Sequence, residues 1–270
     1  MNVNGTNAPG VTVLMPVHGD APFLAAAIES SLSQELNADC ELLLILDRPS
    51  ARAEQLVQAS VGGRIRAVAS RSDGLVAALN TGLQEAKFEF IARMDADDIM
   101  LPMRLARQRD VLVLQQNTAA VGGQVRIIDG IGTIDGRRRY PVAPFWIRFQ
   151  LRFRNSIAHP AVMYRRSDVI EAGGYRADFA GAEDYDLWYR LSRFADLRNL
   201  GVDVLEYRVH GGQLTQSRKR LVVEATYAVQ RNAWRLRTNG VGQFLLNAAT
   251  LAVDTSIWAI RRIAMWAHRA

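Results

Sequence analysis

Residues 91 to 99, Ile91-Ala-Arg-Met-Asp95-Ala-Asp97-Asp98-Ile99, run from a strand-like apolar stretch straight into three carboxylates. Acids this close repel one another unless a cation sits among them. Hard divalent ions such as Mg²⁺ and Mn²⁺ take oxygen ligands, a few carboxylates plus substrate phosphates, so the stretch reads as a platform for a diphosphate and its metal. Asp97 is the first choice as direct ligand, and Asp95 is expected to face a sugar or ribose hydroxyl of the same nucleotide. The competing explanation is a helix cap, because Asp98 before Ile-Met-Leu-Pro has the residue type of an N-cap. The nonapeptide alone leaves both open.

Working outward, Met1 to about Gly10 is polar and turn-rich, and Val11-Thr-Val-Leu-Met-Pro-Val17 reads as a buried strand bounded by His18-Gly-Asp-Ala-Pro. Residues 23 to 36 carry apolar positions at helical spacing. Glu41-Leu-Leu-Leu-Ile-Leu-Asp47 is a second apolar run ending in an acid, residues 50 to 60 read as a helix, and Arg64 to Ala69 as a third short strand. Uninterrupted apolar strands alternating with helices indicate a mostly parallel α/β sheet covered on both faces. In such sheets ligands bind beyond the carboxyl ends of the strands, where Asp47 and Asp95 to Asp98 fall.

These stretches together resemble the family 2 glycosyltransferases of GT-A fold. The resemblance runs from about Val11 to Thr215 and is carried by Val13-Leu-Met-Pro-Val, Leu44-Ile-Leu-Asp47, Arg71-Ser-Asp-Gly-Leu-Val-Ala-Ala-Leu-Asn80-Thr-Gly and Ala92-Arg-Met-Asp-Ala-Asp-Asp98. Further on come His159-Pro-Ala-Val-Met, Gly173-Gly-Tyr-Arg, Ala182-Glu-Asp-Tyr-Asp-Leu-Trp-Tyr-Arg190 and Tyr207-Arg-Val-His210. Their order and spacing are what make the match specific. The resemblance implies transfer of a sugar, with inversion, from a UDP, GDP or dTDP donor held with Mg²⁺ or Mn²⁺. It implies that Pro16 and the Val17 backbone border the nucleotide base, that Asp47 accepts a hydrogen bond from the base ring, and that Arg71 and Asn80 lie along the ribose and diphosphate. Asp95 and Asp97 correspond to the Asp-x-Asp element, and Glu183-Asp184 to the acidic pair before a Leu-Trp helix, whose second member is the catalytic base. His210 matches a position that closes on the metal or diphosphate. Two departures stand out: Leu46-Asp47-Arg48-Pro49-Ser50 keeps one acid of the usual Asp-Asp-Gly-Ser turn and puts Pro where a flexible Gly is common, and His18 replaces a Tyr or Asn.

The chemistry can be argued from the residues as well. Sugar transfer needs an acceptor hydroxyl that loses its proton as it attacks, and a leaving diphosphate whose growing charge is offset. A carboxylate and a cation meet both needs; a general base supplies about 10²- to 10⁴-fold. Asp184 is the candidate base, its pKa raised by Glu183 and by burial beside Tyr185 and Trp188. No covalent nucleophile with its own base is evident: Cys40 is the only cysteine and has no histidine near it in sequence.

Each residue also has a plainer explanation. Glu183-Asp184 opens a helical pattern and suits a first turn through the helix dipole alone. His159 before Pro160 fits a turn, Arg71 and Arg93 fit solvated surface charges, and Asn80 is a poor helix former with a polar role to fill. His210 before Gly-Gly sits on a loop, where neither core packing nor a helix surface accounts for it.

The 270 residues, 49% hydrophobic and 22% charged, suffice for a sizeable core and exclude disorder as the dominant state. One cysteine leaves no intramolecular disulfide, and no basic region followed by an apolar stretch marks a secretory signal, so a cytoplasmic location is expected. The net charge of +6 is concentrated in the second half, in Arg137-Arg-Arg, Arg148, Arg152, Arg154, Arg218-Lys-Arg220 and the arginines from 231 onward. No nucleic-acid module accompanies it, so nucleic acid is not an expected partner. Phe145-Trp-Ile-Arg-Phe-Gln-Leu-Arg-Phe-Arg154 and two helical patterns, Leu221 to Arg237 and Val241 to Trp266, mix apolar and basic residues, as suits either an anionic membrane surface or packing on the catalytic domain. Asn247 and Asp254 interrupt the last apolar run before it reaches the roughly 20 residues of a bilayer span.

The expected organisation is a GT-A catalytic domain over 1–218, with a mostly parallel nucleotide-binding sheet flanked by helices, and a C-terminal helical extension over 219–270. The expected activity is inverting, metal-dependent glycosyl transfer to a glycan or polyprenyl-linked acceptor, on the inner face of the cell membrane if the extension attaches there. A haloacid dehalogenase-like phosphatase shares the Asp-x-Asp strand end but normally carries it near the chain start, followed by Thr or Val. A nucleotidyltransferase needs a Gly-rich, Arg-containing turn that His18-Gly-Asp-Ala-Pro does not supply. A non-catalytic glycolipid-binding scaffold is the third alternative.

Overall fold

A computed structural model describes residues 8–210 and 219–235. Strand and helix alternate from the start: β1 (Val11–Gly19), α1 (Leu24–Leu32), β2 (Cys40–Pro49), α2 (Ala51–Ser60), β3 (Ile65–Ala69), α3 (Leu75–Glu85) and β4 (Phe90–Arg93). Along β1, Val11, Val13, Met15 and Val17 enter one apolar cluster and Leu14 the other; along β2, Leu42 and Leu44 part from Leu43 and Ile45 in the same way. Period-two alternation with both faces buried is why these strands read as unbroken apolar runs.

The remaining elements are β5 (Ile99–Met100), α4 (Arg104–Leu114), β6 (Thr118–Ile128), β7 (Ile134–Arg138), α5 (Pro144–Gln150), β8 (Met163–Arg165), α6 (Arg166–Glu171), α7 (Glu183–Leu191), β9 (Asp196–Arg208) and α8 (Lys219–Arg235). One nine-stranded sheet results, in the order β3-β2-β1-β4-β8-β6-β9-β5, with β7 paired to β6. The first four strands are parallel, whereas β8 runs antiparallel to both β4 and β6, and β5 antiparallel to β9. The sheet is therefore mixed: parallel over the half that alternates with helices, and past β4 a half in which β8, β7 and β5 pair antiparallel with their neighbours while β6 and β9 run parallel to each other.

Chain order and strand order first part company after β3. The first three strands advance in one direction, then α3 carries the chain back across to β4 on the far side of β1. Such a switch point opens a crevice at the carboxyl ends of the strands on either side, here β1 and β4. β4 and β5 are adjacent in sequence yet lie four steps apart along the sheet. The short link between them closes only if the sheet curls, since flat strands spaced about 4.8 Å apart would leave that link fully stretched.

Pro16 sits in the middle of β1 without cost. β1 pairs with β4 only from Val11 to Leu14, so the missing Pro16 amide faces the side where β4 has already ended. Gly82 marks the closest approach of α3 to the sheet: a Cβ there would lie 2.1 Å from Leu14 Cδ1, and Leu14 is fully buried.

Packing divides the chain into residues 1–229 and 230–270. The boundary read from sequence at 218/219 falls before α8, whose Ala225 and Val229 join a cluster of the first unit. The second helical pattern, Val241 to Trp266, lies outside the described residues. Among the described residues no helix is long and apolar enough to cross a membrane.

Gly82→Ala is expected to lower unfolding free energy by about 1–3 kcal/mol through overpacking against Leu14, measured by chemical denaturation at constant m-value.

Candidate active site

The acidic loop is pinned at both ends. At its start the Met94 amide donates to the Leu14 carbonyl at 3.0 Å. Just before it, the fully buried Arg104 guanidinium donates to the carbonyls of Arg93 (2.7 Å), Pro160 (2.8 Å) and Val162 (3.2 Å), and to the Gln108 side chain (3.1 Å). Burial lowers the Arg104 pKa to about 9, which leaves it protonated at neutral pH, so a charged group draws β4, α4 and the 159–162 turn together. At the other end Ile99 and Met100 form β5 on β9.

That ladder decides the fate of Asp98. The N-cap reading fails: the strand takes up Ile99 and Met100, and α4 begins only at Arg104, after a left-handed Met103 with φ of 64°. Asp98 is instead fully buried. Its Oδ1 accepts the Arg208 amide at 2.9 Å, and its Oδ2 has no hydrogen-bond partner among the described residues. Burial, then the charges of Asp95 and Asp97, push this carboxyl well above the usual carboxylate range.

Oxygen atoms of Asp95, Asp97 and Asp98 lie within 4.8 Å of one another. Asp95 receives the Arg93 Nη2 at 2.5 Å; burial raises its pKa, with Arg93 opposing and Asp97 adding to the rise. The expectation of a solvated Arg93 is overturned. This side chain is buried, and its Nε and Nη1 have no partner among the described residues. Asp97 Oδ2 lies 2.9 Å from His210 Nε2, and the Asp97 carbonyl accepts the Arg208 Nε at 2.9 Å. Arg208 in turn covers the Phe23 ring at 4.4 Å, and His210 meets the same ring edge-on at 5.3 Å. The segment after β1 and the end of β9 thus close on the acidic loop. Three converging carboxylates, one with a buried unpartnered oxygen, fit a hard divalent cation, whose charge would relieve the same crowding that raises Asp95 and Asp98.

On the neighbouring strands, Pro16 and Val17 lie in register with Ile45 and Leu46, one step before the His18–Asp47 pair. Asp47 is buried at the end of β2. Its Oδ2 accepts the Gly74 amide at 3.1 Å and lies 3.1 Å from His18 Nδ1, while Oδ1 has no hydrogen-bond partner among the described residues. The turn that lost its glycine is made by Arg48 in the left-handed region, with φ of 49°. Arg71 and Asn80 are engaged elsewhere. The Arg71 guanidinium, exposed, pairs with Glu85 at 3.3 Å at the far end of α3, and the Asn80 amide exchanges two hydrogen bonds with the Tyr175 backbone, at 2.8 and 3.0 Å. Asn80 thereby ties α3 to the turn preceding α7.

Glu183 and Asp184 open α7. Glu183 is buried and caps the turn before it by accepting the Gly181 amide at 2.6 Å. Asp184 is half-buried, and accepts the Asn155 Nδ2 at 2.6 Å and the Tyr185 amide at 2.7 Å. Burial, with the Glu183 charge next, nonetheless pushes its carboxyl up to about 7; Asn155 and Arg93 oppose the rise. Arg93 therefore acts on both Asp95 and Asp184, and the two acidic groups share one electrostatic environment. His159 lies beneath them as a buried, neutral turn residue, its Nε2 3.0 Å from the Tyr175 hydroxyl and its pKa held well below the ordinary value by burial. First-turn geometry and a base-like pKa coexist in Asp184, so the two readings of the pair are compatible.

Several of these residues gave no signal in the sequence. Asn155 lies in an irregular segment with no motif around it, Arg104 looks like any helix arginine, and Arg208 was visible only as part of Tyr207-Arg-Val-His210. A cation abutting an acidic triplet was the one clue to Arg93.

Comparison with known proteins bears on the family and the fold. The description "Glycosyl transferase family 2" matches residues 12–173, a stretch that includes the acidic loop and ends before α7. The O-antigen biosynthesis glycosyltransferase WbnJ of Escherichia coli is 31% identical over 226 residues, 82% of this chain and 87% of that protein. The amylovoran biosynthesis glycosyltransferase AmsE of Erwinia amylovora is 32% identical over 171 residues, 62% of this chain and 63% of its own length. Among solved structures, S. aureus TarS 1-349 in complex with UDP-GlcNAc superposes with a TM-score of 0.61 at 15% identity, covering 82% of this chain and 65% of that one. At that identity the likeness shows a shared GT-A type fold.

The Asp184 carboxyl is expected to titrate near pH 7. Asn155→Leu removes a donor that favours the anion, so the midpoint moves up; carboxyl ¹³C shifts against pH check both.

Proposed function

The chain belongs to glycosyl transferase family 2, and we propose that it moves a sugar, with inversion, from a nucleoside diphosphate donor to a hydroxyl of a glycan or polyprenyl-linked acceptor in surface polysaccharide synthesis. The observation that carries this reading is the pairing of two acidic groups in one field: a carboxylate cluster at the switch point and a carboxyl near pKa 7 on α7. The names of WbnJ and AmsE support the polysaccharide assignment, and the TarS complexes with UDP-GlcNAc and UDP support a nucleotide-sugar donor. UDP, GDP and dTDP sugars are the donors to test, at the inner face of the cell membrane.

Asp97, with Asp95 and Asp98 beside it and His210 at its edge, would hold a Mg²⁺ or Mn²⁺ ion. An ion held there would offset charge on the leaving diphosphate, a contribution of several kcal/mol. Asp47, with an acceptor oxygen to spare at the end of β2, suits a donor N–H of the base. Asp184 takes the proton of the acceptor hydroxyl. As the O–H bond breaks, the acceptor oxygen forms its bond to the anomeric carbon, and the electrons of the old glycosidic bond leave on the diphosphate oxygen. One displacement inverts the carbon. A carboxyl near pKa 7 suits this task, because it is ionised in a large fraction of molecules at neutral pH and still basic enough to accept a proton. Asp95, engaged by Arg93, gives no support to a phosphatase nucleophile.

Asp184→Asn is expected to retain donor affinity while transfer falls by about 10²-fold or more, read by calorimetry and by single-turnover kinetics. A near wild-type rate would refute the base assignment. Asp97→Ala is expected to abolish the gain in donor affinity that Mn²⁺ confers, measured as the difference in thermal shift with and without the ion.

A further inference from the structure

The short helix α5 carries more apolar surface than its packing uses. Ile147 is buried and, with Leu151 just after the helix, anchors it in the core beside α7. The other large side chains face out: Phe145 is 69% exposed, Trp146 57% and Phe149 42%. They form a continuous strip, with ring centroids 5.1 Å apart for Phe145 and Trp146 and 6.0 Å apart for Trp146 and Phe149. Residues 141–155 contain three arginines, Arg148, Arg152 and Arg154, and no acid. Arg152 lies over the Phe149 ring at 5.7 Å, and Arg148, about half exposed, reaches Asp196 only at 3.6 Å.

We propose that this face of α5, through Phe145, Trp146 and Phe149 with Arg148 and Arg152, rests on an anionic lipid bilayer. The composition decides the occupant. Trp and Phe are the side chains that settle at the headgroup boundary, and arginines among them attract anionic headgroups. With no acid in residues 141–155 to offset the arginines, the strip presents an apolar face with a cationic rim, the complement of an anionic headgroup layer.

The placement gives the docking a purpose. The segment leaving α5 is bound to α7 at successive points: the Leu151 carbonyl accepts the Tyr185 hydroxyl at 2.8 Å, and Asn155 donates to Asp184 at 2.6 Å. A surface seated at α5 brings the head of a lipid-linked acceptor toward the carboxyl that would deprotonate it. This purpose rests on the reading of Asp184 as the base; the docking does not.

The test is co-sedimentation of the full chain, without donor or metal, with phosphatidylcholine vesicles and with vesicles containing about one third phosphatidylglycerol. The wild type is expected to bind the anionic vesicles at least about tenfold more tightly, and Phe145→Ser with Trp146→Ser to lose about tenfold of that affinity at unchanged thermal stability. Arg148→Gln with Arg152→Gln leaves the aromatic strip in place and is expected to abolish the preference for anionic lipid; it serves alone if the aromatic variant does not fold. Binding equal to wild type in both variants, or no vesicle binding by the wild type, overturns the proposal. So does a dimer in gel filtration that the aromatic variant converts to monomer, since a second copy would then be the occupant. Because no transfer is measured, failure here is distinguishable from failure of the proposed chemistry.

Discussion

Three carboxylates crowded at the end of β4 are the constraint around which the rest of the site is organised. Burial, with their mutual repulsion added to it, raises the pKa values of Asp95 and Asp98. The protein answers with buried cations and backbone dipoles: Arg93 on Asp95, the Arg208 amide on Asp98, and Arg104 holding the preceding carbonyls in place. These groups hold the loop in shape while leaving acceptor capacity unspent, as at Asp98 Oδ2. A site that satisfied every oxygen from within would have no reason to take a cation.

The same loop joins the two halves of the sheet. It leaves a parallel half built by β-α-β crossovers and enters a mixed half whose last strand in the chain, β9, returns Arg208 and His210 to it. The second half also delivers the partner chemistry. It places α7 so that Arg93, at the end of β4, lies in the field of both Asp95 and Asp184. A single buried guanidinium lowers the cost of ionising each of them, which couples the charge state of the cluster to that of the base.

Legibility followed the range of the physics involved. The parallel half could be read because two-face burial produces unbroken apolar runs and the crossovers produce helical spacing, both local patterns. The acid positions could be read because the acids cluster within a few residues. The burial of Asp98 under the Arg208 amide and the hold of Asn80 on the Tyr175 backbone depend on partners far away in sequence. Arg208 lies 110 positions from Asp98 and Tyr175 lies 95 from Asn80, and no local pattern encodes either contact. The antiparallel pairings of β8 and β5 were hidden for a related reason: these strands are only three and two residues long, too short for a period to register.

By itself, then, the order of residues determined an α/β sheet with acids beyond its strand ends and an acidic pair at the start of a helix, because hydrophobic periodicity and side-chain charge are properties of neighbours. Tertiary structure alone decided which of those acids meet, which are buried, and what opposes their charge. That decision belongs to desolvation and to contacts closed over many residues, which exist only once the chain has folded.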